Sequence, residues 1–255
     1  MKKILAISFL LFAFIANAQK TMFGAQNNYV APLVPARIIT TDLLLYLDAG
    51  NSASYSGSGN TWYDLSNNVN HGTLATSSMA NTSSTPKKFT FNGTSNYVSF
   101  VSSKLNIPYT GKTIIAAAKM NQSFGTNLYR ALFGNNSAGS RNFNFYIYQN
   151  GSGYQLHFAD AGNNAFSSVL TLTTNQWYVF AATQESNTVK FFVNGVLVAS
   201  TSGPLSQYQS SAEEYVGKAD NFWYGDINSI FIYKKGLSEV EILQNFNAQK
   251  SSLGL

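Results

Sequence analysis

Carboxylates, imidazoles and exposed aromatic rings are the groups in this chain that could act on a ligand. Hydrolysis of a glycoside needs two carboxyls about 5–10 Å apart across the scissile bond. On a strand, a spacing of two residues would aim both at one face. The acidic residues do not supply that pattern on any segment that reads as a strand. Glu239 and Glu241 fall in a helix start, where they read as capping and solvent contacts. Glu213 and Glu214 are adjacent, so a strand sends them to opposite faces. There are two histidines, His71 and His157, too far apart in sequence for a zinc motif. No Gly-x-Ser-x-Gly elbow accompanies them. His71 is expected as a loop hydrogen-bonder and His157 as a sheet-face residue.

Sugar recognition is the other chemistry to weigh. It uses the apolar face of an exposed ring beside amides and carboxylates that bond hydroxyls. Phe222-Trp223-Tyr224, preceded by Asp220-Asn221 and followed by Gly225, has that composition. Three consecutive aromatics in a loop cannot all enter one core. At least one is expected at the surface, and Trp223 is the foremost candidate for ligand contact. Asp220, Asn221, Phe222 and Tyr224 complete the candidate site. Tyr129, Arg130, Tyr146 and Tyr148 could also line a face, of undetermined direction.

These residues must be held by strands. Charged residues make up 11% of the chain and aromatics 15%, with abundant Asn, Ser, Thr and Gly. That composition excludes a coiled coil or helical bundle and points to an all-β protein with polar loops. Strand-forming runs occur at 38–47, 88–91, 97–101, 113–120, 130–133, 142–149, 154–159, 169–172, 176–184, 189–193 and 196–198. Alternation at 142–149 puts Phe143, Phe145 and Ile147 on one face. Asn194-Gly195 between two such runs predicts a type I′ hairpin. Residues 48–85 read as one long loop region. Ser238-Glu239-Val240-Glu241 is a capping box opening one short helix. The expected architecture is a two-sheet antiparallel sandwich with one short C-terminal helix.

Several classes are excluded. The net charge is +5, but outside Lys2-Lys3 basic residues cluster no further than the pairs Lys87-Lys88 and Lys234-Lys235. Nucleic-acid binding needs a cationic stripe. The chain has no cysteine, which removes disulfides, thiolate catalysis, cysteine-based zinc sites and lipid anchoring through Cys. Met1-Lys2-Lys3, an apolar run from Ile4 to Ile15 and Ala16-Asn17-Ala18 form a secretory signal of bacterial style. The run is too short to span a bilayer. The expected organisation is a signal peptide at 1–18, a linker at 19–36, one domain at 37–250 and a tail at 251–255. The mature chain is expected to lack a transmembrane segment and to be secreted, periplasmic or held at the cell surface.

Five blocks in order carry a family resemblance. They are Leu45-Tyr46-Leu47-Asp48-Ala49-Gly50-Asn51 with Thr61-Trp62-Tyr63-Asp64-Leu65-Ser66 and Asn70-His71-Gly72; Phe91-Asn92-Gly93-Thr94-Ser95-Asn96-Tyr97-Val98; Gln176-Trp177-Tyr178-Val179; the hairpin at 189–198; and Gly225-Asp226-Ile227 through Ile242. Together they resemble the laminin G-like, concanavalin A-like jelly rolls of secreted bacterial proteins, over about residues 40–250. The resemblance implies two curved antiparallel sheets and a face or rim loops for binding. It implies Trp177 as a core residue and Trp62 as half-buried packing. It raises calcium as a possible cofactor, with Asp48, Asp64, Asn67, Asn70, Asn92, Asn96 and Asp226 as candidate oxygen donors. Asn92 and Asn96 stand where the family motif has Asp, which weakens that site. The glucanases of the superfamily carry Glu-x-Asp-x-Glu on one strand, and this chain does not. The reading is a non-catalytic glycan-binding domain. The alternatives are an adhesive or structural protein binding a cell-surface protein, and a divergent glycoside hydrolase.

Overall fold

The computed structural model describes residues 36–100, 105–108, 111–125, 127–135, 143–151, 153–160, 163–202 and 213–255. The expected signal at 1–18 and the linker up to residue 35 lie outside the described residues. The first strands are β1 (Leu43–Asp48), β2 (Thr61–Trp62), β3 (Gly72–Leu74), β4 (Ala80–Asn81), β5 (Lys88–Asn92) and β6 (Val98–Phe100). Next come β7 (Gly111–Met120), β8 (Tyr129–Asn135), β9 (Asn144–Asn150), β10 (Gly153–Asp160) and β11 (Asn163–Phe166). The last are β12 (Trp177–Glu185), β13 (Thr188–Val193), β14 (Val196–Ser202), β15 (Glu214–Val216) and β16 (Tyr224–Tyr233), followed by helix α1 (Glu239–Leu253).

Among the described residues these strands form two eight-stranded antiparallel sheets, a jelly-roll sandwich. The first runs β14-β13-β12-β7-β16-β5-β4, with β1 beside the far half of β16. The second runs β11-β10-β9-β8-β15-β6-β3-β2. The core lies between them and is dense in aromatics, including Phe89, Phe91, Phe133, Phe143, Phe145, Phe158, Phe180 and Phe191. Phe143, Phe145 and Ile147 all enter it, as the alternation predicts.

The local devices follow from the sequence. Asn194 (φ 51°) and Gly195 (φ 78°) turn the β13–β14 hairpin in the left-handed region that Asn and Gly tolerate. The Asn194 side chain then accepts from the Val179 amide at 2.9 Å. Ser238 caps α1 by accepting from Glu241 N, and the Glu241 carboxylate accepts from Ser238 N at 2.8 Å. The helix continues to Leu253, which is buried, and Gly254 ends it in αL, so residues 251–253 belong to the helix rather than to a tail. α1 lies on the outer side of the first sheet, over Ile115, Ala117, Val179, Ala181 and Phe231. Trp177 is buried in this layer, under the helix and not between the sheets.

Three differences from expectation have local causes. Residues 48–85 are not one loop, because buried Asp64 organises them. Its carboxylate accepts from the amides of Tyr46, Ser66 and Asn70 at 2.9–3.0 Å and from Ser66 Oγ at 2.7 Å. Trp62 is fully buried rather than half-buried, with its ring edge-on to Phe89 at 4.5 Å. The expected strand at 169–172 is only a single bridge from Leu170 to Tyr154, and β11 takes the edge beside β10 instead.

Candidate functional site

The two outer faces of the sandwich differ. α1 covers much of the first; no helix covers the second among the described residues. Side chains alternate along strands, so the residues between the core positions of β8 to β11 project onto that second face. Direct cross-strand partners there are Phe166 with His157, His157 with Tyr146, and Tyr129 with Tyr148. Their rings stack in register. His157 lies parallel to Phe166 at 4.2 Å and to Tyr146 at 5.3 Å, and Tyr129 stacks on Tyr148 at 4.4 Å.

At the centre is a pocket of about 180 Å³ lined by Tyr129, Tyr146, His157, Asn164 and Asp220. That is smaller than the roughly 300–1,000 Å³ of sites for drug-sized ligands. Its polar groups are cross-linked. Asn144 Nδ2 donates to Tyr146 Oη at 2.6 Å, and Tyr146 Oη donates to Asp220 Oδ2 at 3.3 Å. His157 Nε2 meets Asn164 Oδ1 at 2.9 Å. Tyr146 and His157 are buried floor, Tyr129 is half-buried, and Asn164 and Asp220 are exposed at the rim. The described lining brings one half-buried ring, Tyr129, beside an exposed amide and an exposed carboxylate, over a floor of Tyr146 and His157.

The structure splits the aromatic triplet. Asp220 lines the pocket. Phe222 is half-buried on the same side, where its carbonyl accepts from Arg130 Nη1 at 3.1 Å. Trp223 is 0% exposed and packs in the core, so its ring is not the surface platform expected from the sequence. The cause is local: Trp223 N donates to Gly217 O at 2.9 Å, which closes the Gly217–Trp223 loop and turns the indole inward. Tyr224 starts β16 in the first sheet, against Gly93, and leaves the pocket altogether. Asn221 is half-buried within the loop and is not among the lining residues.

Residue type alone leaves the direction of Tyr129, Tyr146 and Tyr148 open and does not point to Asn164. Alternation against Phe143, Phe145 and Ile147 is the signal that places Tyr146 and Tyr148 outward. Nothing local marks Asn164, because its place follows from the β10–β11 pairing. His71 accepts from the Asp64 amide at 3.1 Å and is the loop hydrogen-bonder expected. Glu213 and Glu214 do diverge. Glu214 is buried and accepts from Leu105 N at 2.7 Å, while exposed Glu213 accepts from Tyr215 Oη at 2.7 Å.

A sequence model described as the concanavalin A-like lectin/glucanases superfamily matches residues 92–243, more than half of the chain. The chain belongs to that superfamily. Among solved structures, a sialidase of Trypanosoma rangeli in complex with the inhibitor DANA superposes with a TM-score of 0.63 at 16% identity, over 96% of this chain and 39% of that one. The binding domain of Paraclostridial Mosquitocidal Protein 1 superposes with a TM-score of 0.59 at 16% identity, over 81% of this chain and 52% of that one. The chain thus spans about two-fifths of the sialidase and about half of the toxin binding domain, and at these identities the likeness is one of fold. Sequence comparison with curated proteins finds no match.

For a member of this concanavalin A-like superfamily, the calcium donors named above can be tested for fit. Several of these groups already hold hydrogen bonds or ion pairs. Burial pushes the Asp48 carboxyl up, and it accepts from Gly50 N at 2.8 Å and Tyr46 Oη at 3.3 Å. Asn92 Oδ1 accepts from the amides of Thr94, Ser95 and Asn96 at 2.9–3.0 Å, and Asn96 Nδ2 donates to Thr90 O. Asn67 turns the chain at φ 69°, and Asn70 Nδ2 donates to Leu44 O. Asp226 holds two ammonium groups, Lys88 at 2.7 Å and Lys119 at 3.0 Å. Among the described residues no three acidic, imidazole or thiol groups converge on one point.

Proposed function

We propose that this protein is a non-catalytic, glycan-binding jelly-roll domain that works outside the cytoplasm. The observation that carries the reading is the pocket on the uncovered sheet face, where Tyr129 and Tyr146 stand beside Asn164 and Asp220. Rings for the apolar face of a sugar, with an amide and a carboxylate for its hydroxyls, are the components such recognition needs. Among the described lining residues Asp220 is the single carboxylate, whereas hydrolysis by paired carboxylates uses two. The secretory pattern at 1–18 supports an extracellular or periplasmic setting.

A glycan array with the purified chain, run with and without calcium, tests the reading. Binding that is lost in Tyr129→Ala and Asp220→Asn, both still folded, supports it. Absence of binding to every glycan class removes it. One observation favours a second reading, in which the protein adheres to another protein. Val196, Leu197, Val240 and Leu243 are exposed where the β13–β14 hairpin meets α1. An apolar patch of this kind suits a protein partner.

A further inference from the structure

A second cluster of rings stands on the same sheet face, beyond the pocket. Tyr215 lies between Glu214 and Val216, which are buried, so its ring projects outward. Tyr97 meets it edge-on at 5.4 Å, and Phe222 stands 6.4 Å from Tyr97. The Lys218 ammonium sits over these rings, 4.2 Å from the centre of Tyr215, 4.5 Å from Tyr97 and 5.9 Å from Phe222. Ring faces hold a cation there by their quadrupole, and its N–H bonds remain donors for hydroxyl oxygens. The exposed Glu213 carboxylate, bonded by Tyr215 Oη, adds an acceptor. The three rings and the lysine are half-buried, so they are both fixed and accessible.

This cluster repeats the composition of the pocket: ring faces, a donor and a carboxylate. The two are built by one loop, since Gly217–Trp223 sends Asp220 to the pocket and pairs Lys218 with Phe222 at the cluster. In the sheet order, Tyr146 on β9 and Tyr215 on β15 are separated by β8 alone. Tyr146 pairs with Ala131 of β8 and Tyr215 with Gly134, so two strand spacings of about 4.8 Å and this offset along β8 set them more than about 10 Å apart, further than a single sugar ring reaches.

We infer that Tyr97, Tyr215, Phe222 and Lys218 form a second subsite, and that the ligand is an oligosaccharide chain lying across the strands rather than one terminal sugar. This rests on the glycan reading of the pocket. A stacked ring contributes about 1–3 kcal/mol in the comparable case of nucleobases, which corresponds to about 5- to 150-fold in affinity.

The test is calorimetry of the full chain with glucose, xylose, mannose and N-acetylglucosamine and their oligomers up to hexamers. The expected result is an affinity for one series that rises about 5- to 150-fold with length. Tyr215→Ala should remove that rise and leave the weak monomer affinity in place, while Tyr215→Phe should keep both. Tyr97→Ala is the second variant, should Tyr215→Ala fail to fold. Equal affinity for monomer and hexamer, or a length dependence that survives both alanine variants, overturns the second subsite and leaves the pocket reading standing. No binding of any series to the wild type overturns both.

Discussion

Asp220 and Trp223 share one short loop and face opposite sides of the second sheet: the carboxylate lines the open pocket while the indole is fully buried. The burial of one ring therefore sets the position of one pocket-facing group. Gly217 N donates to Leu132 O and Trp223 N to Gly217 O, both at 2.9 Å, so the loop is tied to β8 at its start and to itself at its end.

Trp223→Ala is accordingly expected to destabilise the fold by about 3–5 kcal/mol, the cost of deleting a large core aromatic. The indole Nε1 has no hydrogen-bond partner among the described residues. Trp223→Phe keeps an apolar ring without that orphan donor and should cost distinctly less. Urea denaturation of the two variants checks the order. An alanine variant as stable as wild type would mean that the indole is not in the core.

The pocket variants should behave in the opposite way. Asp220→Asn keeps an amide oxygen to accept from the Tyr146 hydroxyl and should change stability by about 1 kcal/mol or less, while lowering affinity for whichever glycan the array identifies. Tyr129→Ala removes a half-buried ring stacked on Tyr148. Its effect on affinity should be about 1–3 kcal/mol, by analogy with a stacked base. Thermal melts and calorimetry on the same samples separate the two effects.

Legibility in the sequence followed the range of the interactions. The Asn194-Gly195 turn, the Ser238–Glu241 capping box and the Phe143, Phe145, Ile147 stripe are local, and each is found where its residues predict. The pocket depends on pairings between strands distant in sequence. Asn164 reaches it only because β11 pairs with β10, and Asp220 only because β15 lies beside β8. Composition singles out the 220–224 segment but does not set which of its rings faces the core. Phe222 stays outward, Trp223 turns in, and Tyr224 has already entered the other sheet. β15 has three residues, too few for a periodic signal, and carries the ring at the centre of the second cluster.

Alkaline pH should destabilise the fold through its tyrosines. Burial, then a hydrogen bond to Glu213, pushes the Tyr215 phenol up to about 12. Burial also raises Tyr46 and Tyr233, whose hydroxyl donates to Ile39 O. A phenol raised in the folded state keeps its proton after the unfolded chain, with its phenols near 10, has lost it. The folded state then binds more protons, so stability is fully present below pH 10 and falls as pH rises from 10 toward 12. Chemical denaturation across that window checks the sign. Tyr233→Phe should be less stable at neutral pH and should show a shallower alkaline loss.

Chelation should leave the melting temperature unchanged. A metal bound only by the folded state would raise it through linkage, and the oxygens of Asp48, Asp64, Asn92 and Asp226 are held by backbone amides, hydroxyls and lysines. Melts in EDTA and in added calcium suffice. A loss of several degrees in chelator would reveal an ion site outside the groups considered above.

The Lys88–Asp226–Lys119 triad should prove the most charge-sensitive point of the first sheet. Asp226 is 2% exposed, and its carboxylate takes both ammonium groups and a hydrogen bond from Thr90 Oγ1 at 2.8 Å. Each lysine remains about one-sixth exposed, at 16% and 17%. Asp226→Asn removes the shared counter-charge and leaves two cations facing each other. Removing one member of a buried pair typically costs about 3–5 kcal/mol, and the partial exposure of the lysines places this case toward the lower end. Replacing Lys119 by Met in the same chain removes one of the repelling charges, so the double variant should recover part of the loss. Added salt should help the single variant more than the double, because it screens the repulsion that only the single variant retains. A double-mutant cycle in urea at low and high salt measures all three terms. Additive losses with no salt dependence would show that Asp226 contributes packing and hydrogen bonds but not charge balance.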